Sequence, residues 1–380
     1  MGFFGSHVRG LFAATSTVAV FGISVGLTLP LLALVLQRQG YSESLIGLNA
    51  AAQFLGIMGF APLAPRAIRR FGLFRLMVGC LLICAACVAL LPVLTDYAAW
   101  LIIRLLFGGA EGLLFVSAET WINQAIDDRV RGRMAALYGT ALAAGFAVGP
   151  LIITLTGIDD NAPFVLGVVL ILAGLGPLAL GKGAAPHIAG APTRGVTAIL
   201  RAIPVAAAAT VLFGLLDGGL ISLLAVYGLA IGFDTPGAAQ LITVLIVGGI
   251  FLQLPIGWLA DRTDRMLVLI GCGFLAATFL AVAPFATNGL LLSALLFGLG
   301  GLLGSFWSLS MAVLGTQFRD GDLAAGNVGL TLAYGAGSVA GPAIGGFAMQ
   351  VWPPHGLMFV LAVFTLGFAF FGVAARYAMR

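Results

Sequence analysis

Charge is what this sequence has least of. Of 380 residues, 18 are Lys or Arg and 14 are Asp or Glu, 8% in all. A water-soluble domain carries roughly 25% charged residues, so the composition excludes an ordinary soluble globular fold. Histidine is nearly missing. His7, His187 and His355 all fall outside the long apolar runs, and no nucleophile–base set or metal-ligand cluster is visible. An enzyme active site, a bound metal and a cofactor are therefore not expected. The four cysteines form no disulfide framework: Cys80, Cys84 and Cys87 fall near one face of a single apolar run and Cys272 lies in another. Small packing residues are the plainer reading of them, a metal or redox role the alternative. A G-x-x-x-x-G-K-[ST] phosphate loop is also missing, which argues against direct drive by ATP.

What the chain has instead is apolar length. Hydrophobic residues make up 61% of it, and the mean hydropathy is +1.12. A bilayer-spanning helix needs about 20 mostly apolar residues. Twelve runs qualify: 11–36, 44–64, 73–95, 98–119, 134–156, 163–181, 203–230, 239–259, 267–286, 289–314, 323–350 and 357–375. The 54 glycines and 16 prolines are tolerated in membrane helices, where small residues let neighbours approach closely. A net charge of +4 does not point to nucleic acid, because the basic residues are segregated. With the N-terminus inside, only Arg38 falls in an outside loop and Arg104 within a span. That asymmetry places both termini in the cytoplasm of a bacterial inner-membrane protein. The first run is too long for a signal peptide's apolar core and leads directly into the second span, so a cleaved leader is not expected.

The chain also repeats itself at an offset of 192. Phe21-Gly22 matches Phe213-Gly214, Gly149-Pro150 matches Gly341-Pro342, and the loop from Pro65 to Gly72 matches that from Gly257 to Asp264. Six spans followed by six in the same orientation is the parallel-repeat plan of a secondary transporter. The expected division is a six-helix bundle over 1–181, a cytoplasmic linker over 182–202 and a second bundle over 203–380.

Several of these segments resemble the major facilitator superfamily, and the likeness extends over essentially the whole chain. Gly257-Trp258-Leu259-Ala260-Asp261-Arg262-Thr263-Asp264-Arg265 resembles its G-x-L-A-D-R-x-G-R signature, with Asp264 at a glycine position. Arg104-Leu105-Leu106-Phe107-Gly108 resembles its fourth-span R-x-x-Q-G motif, with Phe107 in place of Gln. Gly145-x-x-x-Gly149-Pro150 is similar to the start of the fifth-span antiporter motif, and its fuller version is Gly337-x-x-x-Gly341-Pro342-x-x-Gly345-Gly346. These six residues, Gly145, Gly149, Pro150, Gly337, Gly341 and Pro342, are expected at helix contacts. The nearest likeness is a poorly characterised bacterial branch close to the drug/proton antiporters. The resemblance implies an all-α membrane protein with twelve transmembrane helices in two six-helix parallel repeats. It also implies a central cavity lined by spans 1, 4, 7 and 10.

Three ionisable residues sit well inside spans: Arg104 and Glu111 in the fourth and Asp217 in the seventh. Each costs at least ~2.5–3.5 kcal/mol to bury in a bilayer, so each needs a partner or a wet cavity. Arg104 and Glu111 are seven residues apart and share a helix face about 10 Å apart along the axis. Their repeat partners fall near Ala294 and Gly301, and Asp217 matches Val25, so the charges are additions to a symmetric scaffold. They are expected to carry proton coupling or substrate contact; the alternative for each is structural pairing. Ser24, Thr28, Tyr227 and Trp307 are candidates for lining a pocket at the same depth, as are Ser305 and Ser308. Asn49 with Gln53, and Asn327, Thr331 and Tyr334, form polar stripes at helical spacing that read equally as interhelical packing.

The loops carry a further pattern. Arg131-Gly132-Arg133 opens the fifth span and Asp320-Gly321-Asp322 the eleventh, the same motif with its charges reversed. Arg69 stands where the signature has Asp, whereas Asp261 keeps it. The resemblance implies a cytoplasmic gate built from Arg69, Arg70, Glu119, Arg131, Arg133, Asp261, Arg262, Arg265, Asp320 and Asp322. The alternative is solvated charge of little energetic value. The leading expectation is a monomeric secondary active transporter in the lipid bilayer, working by alternating access, exporting small molecules in exchange for protons. Proton-coupled uptake, or a sensor that kept the fold without transporting, are the alternatives.

Overall fold

A computed structural model of the protein describes residues 2–125, 131–182, 196–286, 288–318 and 320–378, with side chains described over 9–122, 139–182, 197–286, 288–318 and 326–378. Among these residues all regular structure is helical. The chain groups into two units, one of Met1–Val35 with Ala52–Ala189 and the other of Leu36–Ala51 with Gly190–Arg380. The first half of the chain holds α1 (Gly2–Arg38), α2 (Glu43–Phe60), α3 (Ala64–Phe71), α4 (Leu73–Leu90), α5 (Tyr97–Ala125), α6 (Arg131–Thr156), α7 (Ala162–Ala173) and α8 (Leu175–Leu180). The second holds α9 (Val196–Ala202), α10 (Pro204–Ala230), α11 (Thr235–Arg262), α12 (Arg265–Val282), α13 (Gly289–Gln317), α14 (Asp320–Val351) and α15 (Gly356–Ala378).

Eleven segments among the described residues are long and apolar enough to cross a membrane, and α14, at 32 residues, is a further long helix. Their outer faces carry exposed apolar side chains such as Leu155, Phe251, Leu254 and Val363. Lipid, which offers no hydrogen bonds, is compatible with such a surface because helices satisfy their own backbone groups.

Besides the grouping of Leu36–Ala51 with the second unit, two boundaries differ from the sequence expectation. The expected linker over 182–202 ends in a helix: Ile199 of α9 is buried with Ile203, Ala206, Leu314, Phe318 and Leu330. The second unit therefore starts before residue 203, because the apolar side of α9 finds a place in its core; residues 183–195 lie outside the described residues. The second span is also not one straight helix. A 3-10 turn over Ala61–Leu63 separates α2 from α3, with Pro62 and Pro65 in the first positions of the two pieces. Proline supplies no N–H and clashes with the preceding turn. The repeat-related α11 runs unbroken with Pro255 inside it.

The internal repeat becomes physical at paired glycines. In the first unit α1 meets α6 so closely that a Cβ on Gly22 would strike the carbonyl oxygen of Leu142, and one on Gly145 the carbonyl oxygen of Ala19. Gly26 and Gly149 are equally tight, against Phe146 and against the Gly26–Leu27 backbone. In the second unit α10 meets α14 in the same way: Gly214 against Tyr334, Gly218 against Ser338, Gly337 against Val211 and Gly341 against Leu215. Each of these glycines lies 192 residues from its counterpart. A second pair of contacts repeats the pattern. Gly56 and Gly108 join α2 to α5, and Gly248 and Gly300 join α11 to α13. Close backbone approach maximises dispersion contact, which is what holds membrane helices together when lipid tails remove the hydrophobic drive.

Substituting these glycines must force the helices apart. We expect Gly214→Leu and Gly337→Leu each to destabilise the protein by roughly 1–3 kcal/mol or more, read as a lowered Tm in detergent. Gly79 and Gly271 are the controls, since a Cβ there would meet nothing within 4 Å. Alanine at either position should be neutral or mildly stabilising. Equal melting of Gly214→Leu and the parent would mean that the backbones are not in contact.

Candidate functional site

Arg104 and Glu111 are both on α5 and almost wholly buried, at 1% and 0% exposure. Gln53 of α2 stands between them: Arg104 Nη1 donates to Gln53 Oε1, and Gln53 Nε2 donates to Glu111 Oε2 at 2.6 Å. Ser24 of α1 donates from Oγ to Glu111 Oε1 at 2.7 Å. Arg104 Nη1 also points at the backbone oxygen of Thr28, 3.4 Å away. The geometry follows from the helix. Seven residues are about 10.5 Å of rise, a span that a primary amide between the two side chains can bridge. Arginine only donates, so it takes the amide oxygen and leaves the amide N–H for the carboxylate. The α2 and α5 parts of this chain are held together by the Gly56 and Gly108 contacts.

The five residues of this chain have repeat counterparts that carry no polar group. The Gly108 and Gly300 contacts, against the carbonyls of Gln53 and Leu245, keep the offset at 192 through α5 and α13. The counterparts of Arg104 and Glu111 are therefore Leu296 and Leu303, which corrects the sequence alignment to Ala294 and Gly301. Gln53 corresponds to Leu245, Ser24 to Leu216 and Thr28 to Leu220. All five leucines are buried. One repeat fills this space with leucine side chains and the other with a hydrogen-bonded chain from a serine to an arginine.

The second unit carries a different site. Asp217 of α10 is half-buried, one residue from Gly218 in the glycine contact with α14. Its Oδ2 accepts from the Tyr334 hydroxyl of α14 at 2.7 Å. Phe213, one turn earlier on α10, packs against Tyr334 at 5.2 Å between ring centroids and against Trp307 of α13 at 6.2 Å. Trp307 and Tyr334 meet edge to face at 5.9 Å. At the matching positions the first unit has Val25, Leu142, Phe21 and Phe115, with only the Phe21–Phe115 ring pair preserved, at 4.8 Å.

Other expectations sort themselves by where their hydroxyls point. Ser305 and Ser308 donate to carbonyls of their own helix. The Thr28 hydroxyl does the same, to Ser24 O at 2.8 Å, while its carbonyl faces Arg104. Such i−4 bonds satisfy the group locally and demand no partner. Tyr227 is not at the depth of Asp217: ten residues further along α10 is about 15 Å. It is buried there with its hydroxyl 3.3 Å from His355 Nδ1. Gln53 and Tyr334 were visible in the sequence only as members of polar stripes. What distinguishes them is reach across helices, which spacing alone does not report. Asn49 is buried on the Gln53 side of α2. Cys80, Cys84, Cys87 and Cys272 are unbridged and buried.

Four of the described gate residues, Arg70, Asp261, Arg262 and Arg265, make short-range contacts. Asp261 pairs with Arg265 at 3.2 Å, Arg262 stacks over Trp258 at 3.7 Å, and Arg70 lies 5.4 Å from the Phe71 ring centre. Arg69 is exposed and Glu119 half-buried. The side chains of Arg131, Arg133, Asp320 and Asp322 lie outside the described residues. The departure at Asp264 has a clear local cause. Its backbone is extended, with φ −72°, and its carboxylate caps α12 by accepting from Met266 N. It also pairs with Arg376 of α15 at 2.9 Å. The repeat counterpart, Gly72, has φ +78°, a conformation that only glycine adopts freely.

Comparison with known proteins adds the following. The chain matches the family described as Major Facilitator Superfamily over residues 14–300 and 206–380. It is 26% identical over 365 residues to the uncharacterized MFS-type transporter YfkF of Bacillus subtilis (strain 168), covering 91% of this chain and 90% of that protein. It is 26% identical over 361 residues to the uncharacterized MFS-type transporter YcaD of Shigella flexneri, covering 94% and 93%. Among solved structures, it is similar in fold to the nucleoside transporter NupG, with a TM-score of 0.72 at 15% identity over 98% of this chain and 99% of that one. It is similar also to a bacterial homologue of the human lysosomal transporter Spinster in an inward-facing, unoccupied conformation, with a TM-score of 0.73 at 14% identity over 98% of both chains.

The Asp264 contacts make a graded expectation. Asp264→Ala loses the cap and the ion pair, roughly 1–2 kcal/mol together for groups this exposed. Asp264→Gly should lose less, since glycine caps almost as well as aspartate. Tm values in detergent, in the order parent, Gly, Ala, would confirm it; glycine melting below alanine would remove the cap from the explanation.

Proposed function

The chain belongs to the major facilitator superfamily, and from that membership we propose that it is a proton-coupled exporter of small molecules, working by alternating access. The observation that carries the reading is the contrast between repeats. Five leucines pack the space in the second unit that Ser24, Thr28, Gln53, Arg104 and Glu111 occupy in the first. The scaffold accepts apolar filling there, and a buried ionic group is often no more stable than hydrophobic residues of similar volume. Stability alone gives no reason to keep the polar chain, and a carried proton is the reason we infer.

On this reading the hydrogen bonds to Glu111 indicate which of its oxygens takes the proton. With Glu111 ionised, both carboxylate oxygens accept, Oε1 from Ser24 and Oε2 from Gln53. The Gln53 amide N–H can only donate, so Oε2 must remain an acceptor. Protonation therefore falls on Oε1, and the Ser24 hydroxyl turns from donor to acceptor to receive it. Ser24 is the member that switches, and Gln53 holds the carboxylate in place and spaces it from Arg104. Protonation of Glu111 removes a negative charge that the Gln53 amide links to Arg104, and that change in charge is the term by which a proton biases the conformational equilibrium. Asp217, the acid of the second unit, is the second carboxylate of the coupling scheme. Both termini lie in the cytoplasm of the bacterial inner membrane, because the loops on that side hold nearly all the arginines.

The test is a substrate screen in proteoliposomes with and without an imposed pH gradient. With a substrate in hand, Glu111→Gln should abolish gradient-driven accumulation and keep exchange at least in part. Ser24→Ala should lower the gradient-driven rate, whereas Thr17→Ala, whose hydroxyl bonds its own helix, should not. Substituting all five polar residues by leucine should give a protein that melts no lower than the parent and is uncoupled. Gradient-driven transport by Glu111→Gln equal to the parent would remove the assignment. For orientation, a fluorescent-protein fusion after Arg380 should fluoresce and a phosphatase fusion there should be silent.

A further inference from the structure

We propose that Asp217, with Phe213, Trp307 and Tyr334, forms a recognition site for an organic cation: a protonated amine or quaternary ammonium carrying an apolar group. The inference rests on the transporter reading above and names the class of molecule transported. Three rings from three helices lie within 5.2–6.2 Å of one another between centroids, forming an aromatic wall. The Asp217 carboxylate sits at its edge, fixed by the Tyr334 hydroxyl at 2.7 Å. All four side chains are half-buried, so each keeps a face that the unit's own helices do not cover.

The electrostatics ask for a positive guest. The described arginines of the second unit, Arg38, Arg201, Arg262, Arg265 and Arg376, all lie at helix ends, and no basic residue lies within the spans of α10 to α15. In contrast, Glu111 has Arg104 on its own helix. Among the described residues of this unit, an ionised Asp217 has the Tyr334 hydroxyl as its hydrogen-bond partner and no paired basic side chain. Aromatic faces attract cations through the ring quadrupole, tryptophan most strongly, and bind the apolar groups around an ammonium as well. The tyrosine couples the two components: its hydroxyl orients the carboxylate while its ring completes the wall. The first unit, with Val25 and Leu142 in place of Asp217 and Tyr334, keeps aromatic rings and lacks the acid, so the repeat supplies its own apolar comparison. A guest cation and a proton would then compete for the same carboxylate, which is the exchange an antiporter needs.

The experiment is equilibrium binding to the purified full-length protein in detergent, with no gradient and no transport. The probe is phenethyltrimethylammonium, a permanent cation, beside its neutral carbon isostere (3,3-dimethylbutyl)benzene. The cation should bind the parent at least ~10-fold more tightly than the isostere. Asp217→Asn should remove most of that preference, and Trp307→Leu should weaken cation binding roughly 3–10-fold, as expected for loss of one cation–π contact. Tyr334→Phe keeps the ring and frees the carboxylate, so it should weaken binding less than Asp217→Asn. If Asp217→Asn fails to fold, the isostere comparison on the parent and the Trp307 and Tyr334 variants still decide. Equal affinity for cation and isostere, no measurable binding of the cation by the parent, or cation binding unaffected in all three variants would overturn the proposal. Because no proton gradient is involved, such a result leaves the coupling assignment of Glu111 standing. Conversely, cation binding with no gradient-driven flux would sink the coupling and keep the site.

Discussion

The contact on which the rest of the structure depends is backbone against backbone. At Gly22, Gly145 and Gly149 in one unit, and at Gly214, Gly337 and Gly341 in the other, a single added carbon would strike a neighbouring main chain. Between helices in lipid there is no water to expel, so close packing of small residues replaces the hydrophobic effect as the source of association. These contacts also fix depth and rotation. Once α10 is held to α14 at Gly214 and Gly218, Asp217 is carried to the Tyr334 hydroxyl. Once α2 is held to α5 at Gly56 and Gly108, Gln53 is carried between Arg104 and Glu111.

On that shared frame the two units place opposite kinds of chemistry. The first buries its polar residues in its interior, where Ser24, Gln53 and Arg104 form one hydrogen-bonded chain with a carboxylate. The second fills the same interior with leucine and puts its acid on a half-buried aromatic wall. A closed site that handles a small ion and an open site that handles a larger guest are different requirements, and a duplicated scaffold can meet both by diverging at a handful of positions. The proposed division, with proton exchange at Glu111 and cation recognition at Asp217, follows that difference in exposure.

The loops diverge in the same local way. Where the first unit uses Gly72 with a positive φ, the second uses Asp264 with a negative one. Releasing the backbone from a left-handed turn made room for a side chain, and that side chain caps α12 and reaches Arg376. Asp261 and Arg262 are engaged by Arg265 and Trp258, near neighbours in the same loop. Contacts that exposed are individually weak, and they order the loop more than they stabilise the fold.

The sequence by itself determined the class of protein, the repeat and the identity of the three intramembrane charges. Apolar run length is set by bilayer thickness, a duplication leaves residues at a constant offset, and a charge among apolar residues is conspicuous. It pointed to Gly145, Gly149, Gly337 and Gly341 as helix contacts through their resemblance to the family's fifth-span motif. Only the tertiary structure decided which polar side chains meet across helices. Ser24 and Ser305 look alike in sequence, yet one hydroxyl crosses to another helix and the other folds back on its own. Gln53 and Tyr334 likewise reach other helices, Tyr227 lies beside His355, and the leucine counterparts of the polar chain emerged only once the glycine contacts fixed the register. Periodicity along one helix tells which face a side chain occupies, whereas its partner is set by how a second helix is rotated and shifted against it.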